Sequence, residues 1–215
     1  MPLSTVLGAQ SLVQPAVCTT ATRPASPYTG QAIYDTTLAQ TLAYNGSAWV
    51  VQTGGLVRVG GGTLSGATTT FDNVFSATYK FYLITISNGE ADTNSNLTFQ
   101  FCYAGPTTEA TGYYAGMFGF GFNAATAATG NNNSTSATVC SLAAATFTGQ
   151  LQVTSVDSAS YRSRFAGNFA SAYNNGGYVV GGENTNSRVH TGFVLGVSAG
   201  TFTAGTVNIY GYSLS

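Results

Sequence analysis

The chain has 215 residues, of which 44% are hydrophobic, 13% aromatic and only 6% charged, and its formal net charge is -1. An average soluble protein is about 25% charged, so uncharged polar and small side chains must cover most of this surface. The sequence lacks a basic stripe that could displace counterions from phosphates, which argues against a nucleic-acid partner. The composition is that of a neutral, Thr-rich β-protein, and it also suits tight assembly or uncharged ligands such as sugars.

The chain begins without a recognisable targeting signal, because no Lys or Arg precedes Arg23 as the positive region of a secretory signal would require. No apolar run approaches the roughly 20 residues of a membrane span, so we expect no membrane insertion. The three cysteines, Cys18, Cys102 and Cys140, show neither a CxxC pair nor a metal-binding spacing. One disulfide is compatible with them, but buried reduced thiols in a protein made in a cytoplasm are favoured. We expect no cofactor and no metal.

Residues 1–54 are predicted to form a small module. Its segment 23–49 reads RPASPYTGQAIYDTTLAQTLAYNGSAW. The prolines keep their preceding residues extended, Gly30 marks a turn, and residues 31–36 and 41–46 are predicted strands around the turn TLAQ. A hairpin of this size does not bury both faces alone. Its large apolar side chains are therefore predicted to attach the chain to a partner or to other copies: Ile33, Tyr34, Leu42, Tyr44 and Trp49. Trp49 is predicted to pack against Tyr34 or Tyr44, or else to be the docking residue itself.

Residues 55–215 are predicted to form an all-β domain. Period-two alternation indicates half-buried strands at 97–103, 150–156, 161–169, 193–197 and 206–214. The alternation points Tyr161, Phe165 and Phe169 inward. Segments 79–87 and 113–122 are apolar on both faces, as in central strands. Gly-, Asn- and Ser-rich stretches predict connections at 87–96, 123–136, 174–177 and 181–187, and a single helical turn is predicted at 72–79, capped by Asp72 or Asn73.

About eight strands joined by uneven loops predict a two-sheet antiparallel sandwich of jelly-roll type. The single histidine, His190, is expected to lie at the surface or at the edge of the core, and it is not expected to act as a catalytic base. Five carboxylates could in principle supply a glycosidase pair, but nothing in their spacing requires one: Glu90, Asp92, Glu109, Asp157 and Glu183. The sequence also lacks the motifs of hydrolases and phosphate-binding loops, so we expect no enzymatic activity.

A predicted turn carries aromatic and amide side chains together: Tyr173, Asn174, Asn175 and Tyr178. Aromatic rings stack on the C–H groups of sugars and amides bond their hydroxyls, so this turn is a candidate glycan site. The alternative is an ordinary hairpin turn whose tyrosines pack at its base.

Two parts of the sequence resemble proteins of tailed-bacteriophage virions. RPxxPxxGQxIYDT followed by LxYNGSAWV resembles a short module of fibres and other minor structural proteins. FDNVFSATYKFYLITIS (71–87) and the closing GTVNIYGYSLS resemble the first and last strands of a β-sandwich domain found in such proteins. The resemblance implies a virion protein with an N-terminal attachment module and a C-terminal sandwich, arranged as a trimer. The sequence has no heptad run that would form a long shaft.

The expectation is a homotrimeric short tail fibre or host-adhesion component, made in the host cytoplasm and incorporated into the virion. Its expected partners are its own copies, other virion proteins through residues 1–54, and a host-surface glycan. The alternatives are a capsid decoration or head fibre protein, and a free lectin-like carbohydrate-binding module. A proline-punctuated attachment module favours assembly over a free lectin.

Overall fold

The computed structural model describes residues 15–51, 55–121, 127–172 and 176–212. The chain divides into two compact units, Met1–Gly54 and Gly55–Ser215, which we call the N-terminal unit and the sandwich. The N-terminal unit contains β1 (Ala16–Cys18), a 3-10 turn (Thr20–Thr22), β2 (Ala32–Asp35), β3 (Gln40–Tyr44) and β4 (Trp49–Val51). These strands form one sheet in chain order, with β1 parallel to β2 and the other pairs antiparallel.

The predicted hairpin of the N-terminal unit is present as β2 and β3. Ile33 and Leu42 lie opposite each other across it and are 0% and 1% exposed. Because both are buried within the chain itself, the prediction that they serve an attachment surface is wrong. Tyr34 is 37% exposed, and Tyr44 and Trp49 are half-buried.

The sandwich is built of antiparallel strands. They are β5 (Leu56–Thr63), β6 (Thr68–Phe71), β7 (Phe81–Ala91), β8 (Ser95–Tyr103), β9 (Thr107–Thr108), β10 (Tyr113–Gly121), β11 (Ala127–Ser134), β12 (Ala137–Leu142), β13 (Thr146–Thr154), β14 (Ser163–Ser171), β15 (Gly176–Asn184), β16 (Gly192–Val197) and β17 (Phe202–Tyr212). One sheet has the order β11-β10-β15-β14-β13-β7-β17-β5, and the other has the order β12-β8-β16-β6, with β9 paired to β8.

Eight of these strands have the order of a jelly roll. When β9–β11 and β14–β15 are set aside, one sheet keeps β5-β17-β7-β13 and the other keeps β6-β16-β8-β12. In chain order these are strands 1-8-3-6 and 2-7-4-5, the arrangement that two Greek keys produce. The all-β sandwich prediction is therefore confirmed. The remaining strands are insertions, and four of them widen the first sheet to eight strands.

Aromatic rings from both sheets meet in the core. The ring centroid of Phe99 on β8 lies 4.9 Å from that of Phe101, 5.3 Å from that of Phe165 on β14 and 5.6 Å from that of Phe193 on β16. Each of these four side chains is at most 3% exposed. The inward faces predicted from alternation at 97–103, 150–156 and 193–197 are confirmed by the burial of Leu97, Leu151, Val153 and Leu195.

Several local predictions are wrong for physical reasons. No helical turn forms at 72–79, because Asn73 takes a left-handed φ of 54° and the N–H groups of Val74 and Phe75 both donate to Thr191 O. Tyr161 is 71% exposed rather than inward. It precedes β14, in a turn where Ser158 Oγ accepts its N–H.

Several of the predicted connections contain or overlap strands. Residues 123–136 contain β11, and residues 174–177 and 181–187 overlap β15. The glycines of β15 make room for rings from neighbouring strands. A Cβ at Gly182 would lie 2.6 Å from Phe165 Cζ, so cross-strand packing outweighs the turn preference of the local sequence.

Candidate functional site

The outward face of the eight-stranded sheet carries the candidate site. Tyr82 and Ile84 of β7 point inward and are buried, so Leu83 and Thr85 point outward. On β10 the same alternation buries Tyr113 and Met117 and exposes the residues between them. Segment 113–122 is predicted to be apolar on both faces, as in a central strand. In the structure the large residues of its outer face are open to solvent: Tyr114 is 41%, Phe118 48% and Phe120 52% exposed.

A shallow groove of about 680 Å³ crosses this face from β7 to β10. We call it the outer groove, and its side chains are those of Thr85, Thr148, Gln150, Asn168, Ala170 and Phe120, with Gly177 in its floor. Gln150 lies directly opposite Asn168 on one side and Thr85 on the other. Amide groups and hydroxyls therefore run in a row across three strands, and the lining contains no charged side chain.

Phe120 closes one end of the outer groove. It lies opposite Gly177, and a Cβ on that glycine would be 2.5 Å from Phe120 Cζ. The far end of the ring therefore occupies the space above β15 that a side chain would fill, and it points across β15 toward Ala170 on β14. Phe120 as a whole is 52% exposed to solvent. The result is an exposed aromatic ring beside a row of neutral hydrogen-bonding groups.

A second outward feature lies at the opposite end of the same sheet. Tyr212 is directly opposite Phe81 on one side and Leu56 on the other, while Tyr210 is opposite Leu83. We call these five residues the edge patch. Leu56 and Tyr212 are 44% and 41% exposed and the other three are half-buried. The patch borders β5, which is the edge strand of the sheet and leaves backbone groups open to pairing.

Charges on the surface are mostly neutralised by one another. Lys80 pairs with Asp157, and Arg162 and Arg164 both pair with Glu183. The pKa of Glu183 is held below its ordinary value, chiefly by the bond from Arg162. Such exposed pairs add little stability. Arg162, Arg164 and Glu183 together keep a net charge of +1, and Arg58, opposite Tyr210 on β5, donates to Asn208 and is in no ion pair among the described residues.

His190 lies in the interior, at 1% exposure, rather than at the surface or edge of the core where it was expected. Its ring stacks on Phe101 with centroids 4.6 Å apart. Nδ1 is 2.8 Å from Ser163 Oγ, and Nε2 is 3.5 Å from Oε1 of Glu109. Ser163 Oγ is also 3.1 Å from the Ser155 carbonyl. Ser163 Oγ therefore lies within hydrogen-bond distance of both the Ser155 carbonyl and Nδ1 of His190.

The line of Ser163, His190 and Glu109 has the residue types of a hydrolytic triad, but a substrate could not reach it. Ser163 is 0% and Glu109 3% exposed. Glu109 also forms an ion pair with Arg188 at 2.8 Å and accepts a hydrogen bond from the Asn186 amide at 2.9 Å. Burial, with a smaller effect of Arg188, lowers the pKa of His190 to about 4. The cluster therefore holds a neutral histidine that ties β14 to the connections before β10 and β16.

In the N-terminal unit, the conspicuous sequence motif forms a clamp around Asp35. Arg23 pairs with the carboxylate at 2.7 Å, and Thr20 Oγ1 donates to it at 3.0 Å. The N–H groups of Thr37 and Leu38, in the turn between β2 and β3, donate to its other oxygen. Burial raises the pKa of Asp35, but the bonds from Arg23, Leu38, Thr20 and Thr37 outweigh it and hold the pKa below its ordinary value.

The rest of the motif builds the next turn. Asn45 Oδ1 accepts from the N–H groups of Ser47 and Ala48, and Gly46 takes a φ of 101° that favours glycine. This turn places Trp49 opposite Tyr44, with ring centroids 5.5 Å apart. Tyr44 is one of the two partners predicted for Trp49.

Of the four residues of the glycan site predicted at 173–178, only Tyr178 lies among the described residues. Tyr173, Asn174 and Asn175 lie outside the described residues. Tyr178 is 7% exposed and belongs to the core cluster, so its ring is not available for stacking on a sugar. The groove residues found instead come from strands far apart in the sequence, and only the outward alternation of each strand could have indicated them.

All three cysteines are free thiols. Cys102 and Cys140 are buried, and burial raises the pKa of each thiol to about 12. No cluster of potential metal ligands occurs among the described residues. Likewise, no helix in the described ranges is long and apolar enough to cross a membrane. Compared with known protein families, with curated proteins and with solved structures, the chain matches none.

Proposed function

We propose that this protein is a structural component of a bacteriophage virion, acting as a trimeric short tail fibre or host-adhesion protein attached through residues 1–54. The observation that carries the proposal is the combination of a separate N-terminal unit, whose motif resembles virion attachment modules, with a sandwich that leaves an apolar edge open. The near-neutral surface supports it, because little charge repulsion opposes close packing of identical chains.

In the proposed trimer, the edge patch forms the contact between copies. Exposed apolar side chains that lie together beside an edge strand are typical of an interface. The opposite edge strand, β11, reads AATGNNNS and offers mainly small and polar groups. The sandwich therefore has one edge suited to association and one suited to solvent.

The N-terminal unit would connect the trimer to the particle. Tyr34 on β2, Val17 on β1 and Tyr28 after the proline segment are 37%, 62% and 70% exposed there, and the bonds to Asp35 tie Arg23 and the turn after β2 to this sheet. A rigid unit with exposed aromatic side chains suits docking, since such residues are enriched at interface hot spots.

The experiment that tests attachment is deletion of residues 1–54, followed by purification of particles and quantification of the protein in them. We expect the truncated chain to fold but to fall to background level in particles. Asp35→Ala in the full chain should cause a similar loss, because Arg23 and the turn N–H groups lose their shared acceptor.

The matched control is Asp92→Ala, which removes a carboxylate bonded to Thr201 in the sandwich and should leave particle occupancy unchanged. Full occupancy of the truncated chain would overturn the attachment role.

The number of copies of the wild-type protein per particle distinguishes a location in the tail from one on the capsid: roughly a few to a few dozen indicate the tail, and several hundred indicate the capsid.

A further inference from the structure

We infer that the outer groove binds the uncharged sugar units of a glycan. This inference deepens the proposed host-adhesion role by naming a ligand class and a site, and it concerns a surface separate from the edge patch. It is carried by three properties of the groove: an exposed aromatic ring fixed by its backbone surroundings, a row of neutral donors and acceptors, and the lack of charge in the lining.

The ring is that of Phe120. Because Gly177 has no side chain, the far end of the ring rests over β15, and at 52% exposure it offers apolar surface to solvent. An exposed aromatic ring beside a groove gives the C–H face of a pyranose a surface to stack on. Phe118 and Val179, exposed at 48% and 52% and directly opposite each other, extend this apolar surface along the sheet.

The polar row supplies the second requirement. Gln150 and Asn168 each present an amide with both donors and an acceptor. The hydroxyls of Thr148 and Thr85 donate to the carbonyls of Ile86 and Asn208 at 2.8 Å and 3.4 Å, so they offer a ligand only acceptor capacity. The side-chain amides of Gln150 and Asn168 have no hydrogen-bond partner among the described residues. Sugar hydroxyls both donate and accept, so adjacent amides that can do both match them better than charged groups would.

The charge distribution excludes other ligand classes. The groove lining holds no Lys, Arg, Asp or Glu, and Arg162 and Arg164, which lie outside it, are both paired with Glu183. A phosphate or an acidic sugar would find no unpaired cation here. A peptide strand would lack an open backbone edge, because the groove crosses strands that are paired on both sides.

The test uses the full-length chain, fluorescently labelled and applied to an array of immobilised microbial polysaccharides, both neutral and acidic. We expect binding to neutral members, with weaker or no binding to acidic ones. Phe120→Leu keeps the apolar character but removes the ring, and Asn168→Ala removes one amide. Each should weaken binding about tenfold, the size of effect that loss of a stacking contact or a hydrogen bond produces.

Gly177→Ala is a third variant, which moves the Phe120 ring out of place while the ring remains in the chain, and it should weaken binding as well. Tyr161→Ala is the matched control, since it removes a 71% exposed ring outside the groove and should leave binding unchanged. Circular dichroism confirms that each variant is folded.

The inference is overturned if no polysaccharide is bound, if acidic ones are preferred, or if Phe120→Leu binds like the wild type. It is also overturned if Phe120→Leu dissociates the assembly, since the groove would then be a contact between copies. A monomeric chain that still binds neutral glycans would contradict the proposed trimer alone, and a trimer that binds none would contradict this inference alone.

Discussion

Replacing Phe99 by alanine should lower the free energy of unfolding of the sandwich by about 3–5 kcal/mol, the usual cost of removing a fully buried phenylalanine. Phe99 is 0% exposed and contacts rings from both sheets, namely Phe165 on one and Phe193 on the other. The cavity would open where the sheets are joined, so relaxation of one strand could not fill it.

Guanidinium unfolding at fixed protein concentration measures this effect. Trp49 is the only tryptophan and lies in the N-terminal unit, so its fluorescence reports that unit while circular dichroism is dominated by the sandwich. The matched control is Phe118→Ala, which removes the same side chain from the outer face at 48% exposure and should cost about 0.5 kcal/mol or less. Equal losses for the two variants would show that the two-sheet core is misassigned.

Acid should destabilise the sandwich through His190. Its pKa in the folded chain is lowered to about 4 by burial and by Arg188, whereas an unfolded histidine titrates near 6.5. Above pH 6.5 the imidazole is neutral in both states and the contribution to stability is full. As the pH falls from 6.5 toward 4, the unfolded chain takes up a proton that the folded chain does not, and about 3 kcal/mol is lost.

Denaturant midpoints measured between pH 7.5 and 4.5 test this prediction. Carboxylates with lowered pKa values, such as Asp92 and Glu183, lose their contribution mainly below their ordinary range near pH 4, so the upper part of the window reports the histidine. In His190→Gln, which keeps a hydrogen-bonding group beside Ser163, we expect the slope above pH 5 to disappear. A slope that persists in this variant would mean that another group is responsible.

Local alternation in the sequence was enough to predict the class of fold and the inward faces of several strands. Leu97, Phe99 and Phe101 are spaced by two and all three are buried. Sequence could not indicate the insertions into the jelly roll, because β11 and β15 are rich in glycine and asparagine and resemble turns when read alone. Their stability as strands comes from pairing, of β11 with β10 and of β15 with β10 and β14, which is not visible in the local sequence.

The candidate site was less predictable than the fold. The outer groove depends on the register that places Gln150 between Thr85 and Asn168, and register is not visible in any one strand. In the N-terminal unit, Arg23 and Asp35 are 12 residues apart and their pairing follows only from the course of the proline segment. By contrast, the contact of Trp49 with Tyr44 was predictable, since a tight turn joins them.

The proposed trimer, assembled through the edge patch, is tested by sedimentation equilibrium of the full-length protein at micromolar concentration. We expect a mass of three chains of 22.0 kDa each. Tyr212→Lys, which places a charge in the edge patch, should shift the mass toward one chain, whereas Tyr161→Lys, at an exposed site elsewhere, should not. A wild-type protein that remains a monomer under these conditions would contradict the proposed trimer.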